Sequence, residues 1–206
     1  LSETKIREAK NCLNAHRQHF QDAEKAFHVP KSVLASILLV ETHCGKVTGK
    51  SVIFHRLSRL ASVRDPQNIK ENFKRLQRSD PSVKISDVEN RAIYLENTFL
   101  PEVSALLQLA RLLGYNIFGF RGSDSGAFGI PQFLPSSYLR FGVDGDNDNK
   151  VSLYTPADAI WSAANFLSHY GWDITQPPQA NRNVLLKYNK SDPYVDTILA
   201  LAKRIE

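Results

Sequence analysis

The sequence predicts a mainly α-helical fold, and two observations carry that reading. Apolar residues recur at three- and four-residue intervals along most of the 206 residues. Alternation of apolar and polar residues never lasts beyond about four positions, so no half-buried strand is marked out. The length suits one core that buries roughly 70% of the unfolded surface, and residues 1–206 are read as a single domain that needs no metal or disulfide to fold.

An N-terminal helix is expected within residues 1–28. Pro30 then suits the first turn of a helix whose apolar positions are Val33, Leu34, Ile37 and Leu38, and Gly45 stops it just past Glu41. A Gly/Lys-rich turn, Gly45 to Lys50, leads to a short amphipathic segment with Ile53, Phe54, Leu57 and Leu60. Residues 64–87, with two Pro and many charges, read as an exposed excursion with room for one short helix. A long helix is expected from Asp87 to Leu113, with a stripe running from Val88 through Leu95, Phe99 and Leu106 to Ala110; Pro101 is a candidate kink and Gly114 the stop. Tyr115 to Pro135 is irregular, and residues 138–160 hold a loop dense in Asp and Asn. A helix follows from Pro156 to Tyr170, then a turn at Pro177 and Pro178 and two short helices around Leu185 and Ile198.

Glu41 is chemically conspicuous. It follows Ile37-Leu38-Leu39-Val40 at the C-terminal, negative end of a core helix, where the dipole and apolar surroundings both raise a carboxyl pKa toward the range of a general acid. A second feature is Gly126-Ala127-Phe128-Gly129-Ile130-Pro131-Gln132-Phe133-Leu134-Pro135, preceded by Gly122-Ser123-Asp124-Ser125. Its small residues admit a ligand close to the backbone; Gln132 can donate and accept hydrogen bonds, and Phe133 can stack on a sugar face.

The third is Asp144-Gly145-Asp146-Asn147-Asp148-Asn149-Lys150, followed by Asp158. Carboxylates at alternate loop positions, with the Lys150 carbonyl next in line, are the opening half of an EF-hand-like calcium loop. Asn149 replaces the usual Gly but tolerates a left-handed backbone, and Thr155 replaces the usual Glu, so Asp158 would close a longer loop. Three Asp at alternate positions repel one another without a cation.

Composition narrows the partners. With 26 Lys+Arg against 21 Asp+Glu, the formal charge is +5, which favours nucleic acid, anionic lipid or acidic glycan without choosing among them. The longest apolar run, Val33 to Val40, is far short of the ~20 residues of a membrane span. Cys12 and Cys44 have no zinc-like spacing and permit at most one bridge; both fall in or beside helices, where a buried thiol is the commoner fate. The Leu1 start reads as a trimmed mature segment.

Together these residues resemble the lytic murein transglycosylases of the membrane-bound B type, over Val29 to Leu201. Val40-Glu41-Thr42 with Gly45 and Gly49-Lys50 is similar to the family's catalytic segment, Gly122 to Pro135 with Ser136-Ser137-Tyr138 to its signature loop, and Tyr188-Asn189-Lys190-Ser191-Asp192-Pro193-Tyr194 to its C-terminal Tyr-Asn motif. Arg91 and Tyr94 match an Arg/Tyr pair facing the same groove. Cys44 stands where the family has an aromatic residue, and 64–87 is longer than the usual connection.

The resemblance implies a lysozyme-like transglycosylase fold with a calcium loop, and a monomeric periplasmic or outer-membrane-associated enzyme without an organic cofactor. It implies cleavage of peptidoglycan glycan strands between N-acetylmuramic acid and N-acetylglucosamine without water, giving 1,6-anhydromuramyl products, with no role for nucleic acid. Glu41 would be the sole acid/base. Ser123, Gln132 and Asn189 would orient the sugar, Phe133, Tyr94, Tyr188 and Tyr194 would supply apolar faces, and Arg91 would meet a lactyl or peptide carboxylate. Calcium, held by Asp144, Asp146, Asp148, Lys150 and Asp158, would be structural. Two alternatives stay open: a hydrolytic muramidase, for which Asp124 is the nearest second carboxylate, and a glycan-binding module without activity.

Overall fold

In a computed structural model, which describes all residues from Leu1 to Glu206, the helical class is borne out. The helices are α1 Glu3–Ala15, α2 Arg17–Phe27, α3 Lys31–Thr42, α4 Ile53–Ala61, α5 Pro66–Ser79, α6 Ile85–Leu113, α7 Pro135–Phe141, α8 Pro156–His169, α9 Pro178–Tyr188 and α10 Asp192–Ile205. Strand pairing is confined to two-residue pieces, β1 Ser51–Val52 against β2 Arg121–Gly122, antiparallel. The chain divides into two units: Leu1–Thr48, Phe128–Phe133 and Arg140–Glu206 form the first, and Gly49–Ala127 with Leu134–Leu139 the second.

The first unit is built around α3. Residues Ser32 through Leu39 are all 5% exposed or less, so this helix is buried on every side, as a helix apolar all round must be. It packs against α1, α2, α8 and α10. Its interior hydroxyl is satisfied locally, with Ser36 Oγ donating to the Ser32 carbonyl at 2.7 Å. The N-terminal stretch is two helices where one was expected, because the chain breaks at His16 (φ −123°), which ends α1 and starts α2.

Cys12 and Cys44 form a disulfide, against the expectation of buried thiols. Packing of α1 on α3 brings their Cα atoms to 6.2 Å, within bridging reach. Neither end is visible in the sequence, since the pairing depends on two helices meeting.

The second unit packs α4 and α5 on α6. The 64–87 excursion is larger in structure than one short helix: α5 alone has 14 residues, capped by Asp65, whose side chain accepts from Gln67 N at 2.9 Å, with Pro66 in the first turn. No α5 residue is fully buried, which is why no apolar stripe announced it. Helix α6 starts at Ile85, two residues earlier than expected, because Asp87 reaches back to accept from the Lys84 N–H at 2.9 Å. It continues through Pro101 to Gly114. Just after that proline, the buried Glu102 accepts from Ser136 N (2.9 Å) and Ser136 Oγ (2.6 Å), so a carboxylate caps the first turn of α7.

Candidate functional site

Glu41 occupies the last turn of α3. The chain leaves that helix through three consecutive left-handed residues, His43 (φ 49°), Cys44 (φ 57°) and Gly45 (φ 89°). Thr42 anchors the exit. Its hydroxyl donates to the Ile130 carbonyl at 2.8 Å and accepts from Gly45 N at 3.0 Å, so the helix end is fixed to the 128–133 loop. A side chain at Gly45 would meet Ile130 Cδ1 at 3.1 Å in a backbone conformation that disfavours it.

That loop is a tight bridge. Phe128 N donates to Phe133 O at 2.9 Å, and Phe133 N returns a bond to Phe128 O at 3.1 Å. Gly129 lies so close to Leu153 that a Cβ would sit 2.4 Å from its Cβ, and its φ of 73° also requires glycine. Gln132, itself left-handed at φ 52°, uses its amide N–H groups on Gly129 O (2.9 Å) and Thr48 O (3.1 Å). Its donors are therefore spent, leaving the amide oxygen as the group on offer, where the sequence promised both functions.

Two tyrosines complete the surroundings of Glu41. Burial pushes the Glu41 carboxyl up to about 6, and the neighbouring Tyr194 hydroxyl offsets this only in part. The Tyr194 hydroxyl is itself buried, faces the carboxylate without closing a hydrogen bond of strict geometry, and is held far above the usual phenol range by burial and by the Glu41 charge. The Tyr188 phenol is likewise raised, first by burial and then by Glu41; its hydroxyl donates to Pro131 O at 2.7 Å. Tyr194 enters from the first turn of α10, whose N-cap is Ser191, and Tyr188 from the last turn of α9. Asn189 ends α9 and is exposed.

Phe133 requires a correction. At 3% exposure its ring cannot offer a face to a sugar. It packs 5.9 Å from Tyr188 and 5.7 Å from Phe166, and Tyr188 lies 4.9 Å from Phe166, so Phe133 backs the tyrosine from below.

Ser123, Asp124, Arg91 and Tyr94 lie in the second unit. Ser123 closes a turn, its Oγ accepting from Ala127 N at 3.2 Å and its N–H bonding Ala127 O at 2.8 Å. Asp124, the candidate second carboxylate, is exposed and held by Arg56 (2.8 Å) and Ser51 Oγ (2.6 Å). Arg91 places its guanidinium 4.9 Å from the Tyr94 ring centroid, and both side chains are exposed.

In the acidic loop, carboxylate oxygens of Asp144, Asp146 and Asp158 come within 4.8 Å of one another. Asp158, 1% exposed in the first turn of α8, accepts from Gly145 N (2.8 Å) and Ser152 N (2.6 Å), folding the loop back onto that helix. Asn147 and Asn149 both adopt left-handed backbone, as the Asn-for-Gly reading requires. Asp148 departs from expectation: its carboxylate accepts from Lys150 N at 2.8 Å and stands outside the cluster. Burial and the neighbouring Asp158, Asp148 and Asp144 push the Asp146 carboxyl up, partly offset by the Asp148 N–H. Hard oxygen donors that repel one another in this way fit a divalent cation.

Sequence reasoning missed Thr42 and Glu102, and left the pairing of Cys12 with Cys44 undecided. Thr42 left one signal, a hydroxyl immediately after Glu41 and three residues before Gly45; Glu102 left none.

The model of the Transglycosylase SLT domain family matches residues 1–181. Membrane-bound lytic murein transglycosylase B of Escherichia coli K12 is 31% identical over 159 residues, which is 77% of this chain and 36% of that protein. The chain thus spans about a third of the length of this curated relative. The E. coli lytic transglycosylase Slt35, solved in complex with calcium, superposes with a TM-score of 0.77 at 21% identity, over all of this chain and 75% of its own. SltB3 of Pseudomonas aeruginosa, solved with NAG-anhNAM-pentapeptide, gives 0.76 at 18% identity, over all of this chain and 64% of its own. These likenesses fix the fold.

Proposed function

The chain belongs to the Transglycosylase SLT domain family, and from that premise we propose that it is a lytic murein transglycosylase with Glu41 as its one acid/base. The observation that carries the reading is the part-buried Glu41 carboxyl, which desolvation raises to about 6 beside Tyr194. The nearest alternative acid of the signature loop, Asp124, is exposed and paired with Arg56.

Glu41 gives its proton to the glycosidic oxygen as the bond from the muramyl anomeric carbon to that oxygen breaks, while the substrate's own acetamido group supports the anomeric centre. The muramyl C6 hydroxyl then bonds to the anomeric carbon and returns its proton to Glu41. Water is neither consumed nor needed. Gln132 contributes its amide oxygen as an acceptor, Asn189 its exposed amide, and Tyr188 and Tyr194 their rings; Arg91, Tyr94 and Ser123 belong to the same proposal. A cell-wall substrate puts the protein in the periplasm, where oxidising conditions preserve the bridge. No helix is long and apolar enough to cross a membrane. The test is digestion of purified sacculi: soluble muropeptides are expected, and sacculus binding with no release would favour a module without activity.

The raised carboxyl sets the pH profile. The first step needs Glu41 protonated, a form that dominates below about 6 and is depleted above it. Accordingly kcat/KM on soluble glycan strands should fall toward alkaline pH with an apparent pKa near 6. A profile flat from pH 5 to 8 would contradict this.

Asp144, Asp146 and Asp158 with the Lys150 carbonyl would hold calcium, which would neutralise their repulsion and fix the loop against α8. Saturating calcium should raise Tm by several degrees over EGTA, since a ligand at about 100 times its Kd adds ~2.7 kcal/mol and each kcal/mol is worth roughly 2–4 °C at this size. Asp158→Asn should abolish that difference. Identical melts in calcium and EGTA would remove the metal from the account.

A further inference from the structure

Helix α6 turns a row of large aliphatic side chains toward solvent. Ile93, Leu100 and Leu107 are 40%, 52% and 43% exposed, and their seven-residue spacing puts them on one face of the helix. The buried residues Val88, Leu106 and Leu109 lie on the opposite side. Asn97 and Ser104, exposed and uncharged, complete the row, and the Ser104 hydroxyl already donates to the Leu100 carbonyl at 3.4 Å. A contiguous row of this kind, unlike leucines exposed singly, marks a contact surface.

Charge closes the row at both ends. Glu89 stands one turn before Ile93 and Arg111 one turn after Leu107; both are exposed, and neither has an ion-pair partner within the chain. The positions are symmetric about Leu100, with Ile93 and Leu107 each seven residues from it and Glu89 and Arg111 each eleven. We infer that α6 pairs antiparallel with α6 of a second copy of this chain, about a two-fold axis at Leu100. Leu100 then meets Leu100, each Ile93 meets a Leu107, and each Glu89, about 16 Å along the helix from the axis, meets an Arg111. A parallel pairing would set Glu89 on Glu89 and Arg111 on Arg111, so the charges select the antiparallel arrangement. A lipid surface would be served by cations at both ends, which Glu89 denies it. The contact is a single helix face, at the small end of specific interfaces, so the pairing is weak and reversible, where the family resemblance implied a monomer. It stands independently of the cleavage reading.

The test is sedimentation of the full chain over a range of concentrations. Wild type should pass from one copy toward two between about 10 µM and about 1 mM, the range of a small, transient interface. Leu100→Glu, which puts two like charges on the axis, should weaken association about tenfold or more. Glu89→Arg and Arg111→Glu should each weaken it about threefold or more, because each sets like charges together twice. An equimolar mixture of those two variants should associate as wild type does, since one copy then carries Arg at both ends of the row and the other Glu at both. All three positions are exposed, and unchanged far-ultraviolet circular dichroism confirms the fold of each variant. With no free thiol in the native chain, Leu100→Cys should be joined to its copy by a short bismaleimide, while Leu112→Cys, off the row, should not.

A single-copy wild type throughout that range overturns the inference. So does association that Leu100→Glu leaves unchanged, which would place the contact elsewhere, or a mixture of the two charge variants that associates no better than either alone. Capture by anionic phosphatidylglycerol vesicles that depends on Leu100, without self-association, would make the row a lipid contact and likewise overturn it.

Discussion

Glu41→Gln should slow release of muropeptides from sacculi by at least ~10²–10⁴-fold, the contribution expected of a positioned general acid–base group. The substitution preserves shape and the ability to bond Tyr194 while removing the proton. It also carries a stability signature that separates lost chemistry from lost fold. The folded-state pKa of about 6 stands above the ordinary 4.5, so the native chain binds this proton more tightly than the unfolded chain does. Below 4.5 the group is protonated in both states and ionisation costs nothing. As pH rises from 4.5 through 6 that advantage of the native state is lost, and above 6 the buried charge costs about 2 kcal/mol, from 1.36 kcal/mol per unit. Glu41→Gln should therefore melt several degrees above wild type at pH 8 and close to it at pH 4. A variant with near-wild-type turnover would remove Glu41 from the mechanism; one that melts lower at pH 8 would show that the carboxylate is not strained there.

Cys12→Ala/Cys44→Ala should lower Tm by roughly 7–15 °C. The bridge closes a loop across 32 residues, and the chain-entropy model gives about 3–4 kcal/mol for a closure of that length. At roughly 2–4 °C per kcal/mol for a chain of this size, that is the largest stability effect anticipated from any pair of side chains here. The bridge also ties α1 to the left-handed exit of α3, where His43 and Cys44 hold a backbone conformation unfavourable for residues with a Cβ. The register of Glu41 itself is held separately by Thr42 on Ile130. Turnover well below the new melting point should consequently fall much less than in Glu41→Gln. A Tm within about 2 °C of wild type would show that the bridge contributes little.

How much of this was legible in the sequence depended on whether the cause was local. Helix α3 was plain because its apolar run, Pro30 and Gly45 all act within a few residues, and Glu41 stood out because a carboxylate at the end of such a run is costly. The left-handed Asn149 was foreseeable from the intrinsic tolerance of Asn. Helix α5 was underestimated because it buries none of its residues fully and so leaves no stripe. The roles of Phe133 and Gln132 could not be read locally, since the burial of one and the spent donors of the other come from packing partners such as Phe166 and Thr48. The same holds for Thr42 on Ile130, which spans 88 positions, and for the cysteine pair.

The central claim is that one carboxylate breaks the glycan without water. Digesting sacculi in heavy-oxygen water and weighing the released muropeptides tests it most directly. Products one water lighter than the reducing-end form, with no heavy oxygen incorporated, are the predicted result. Products that end in a reducing sugar carrying the heavy isotope would make the protein a muramidase and contradict the account.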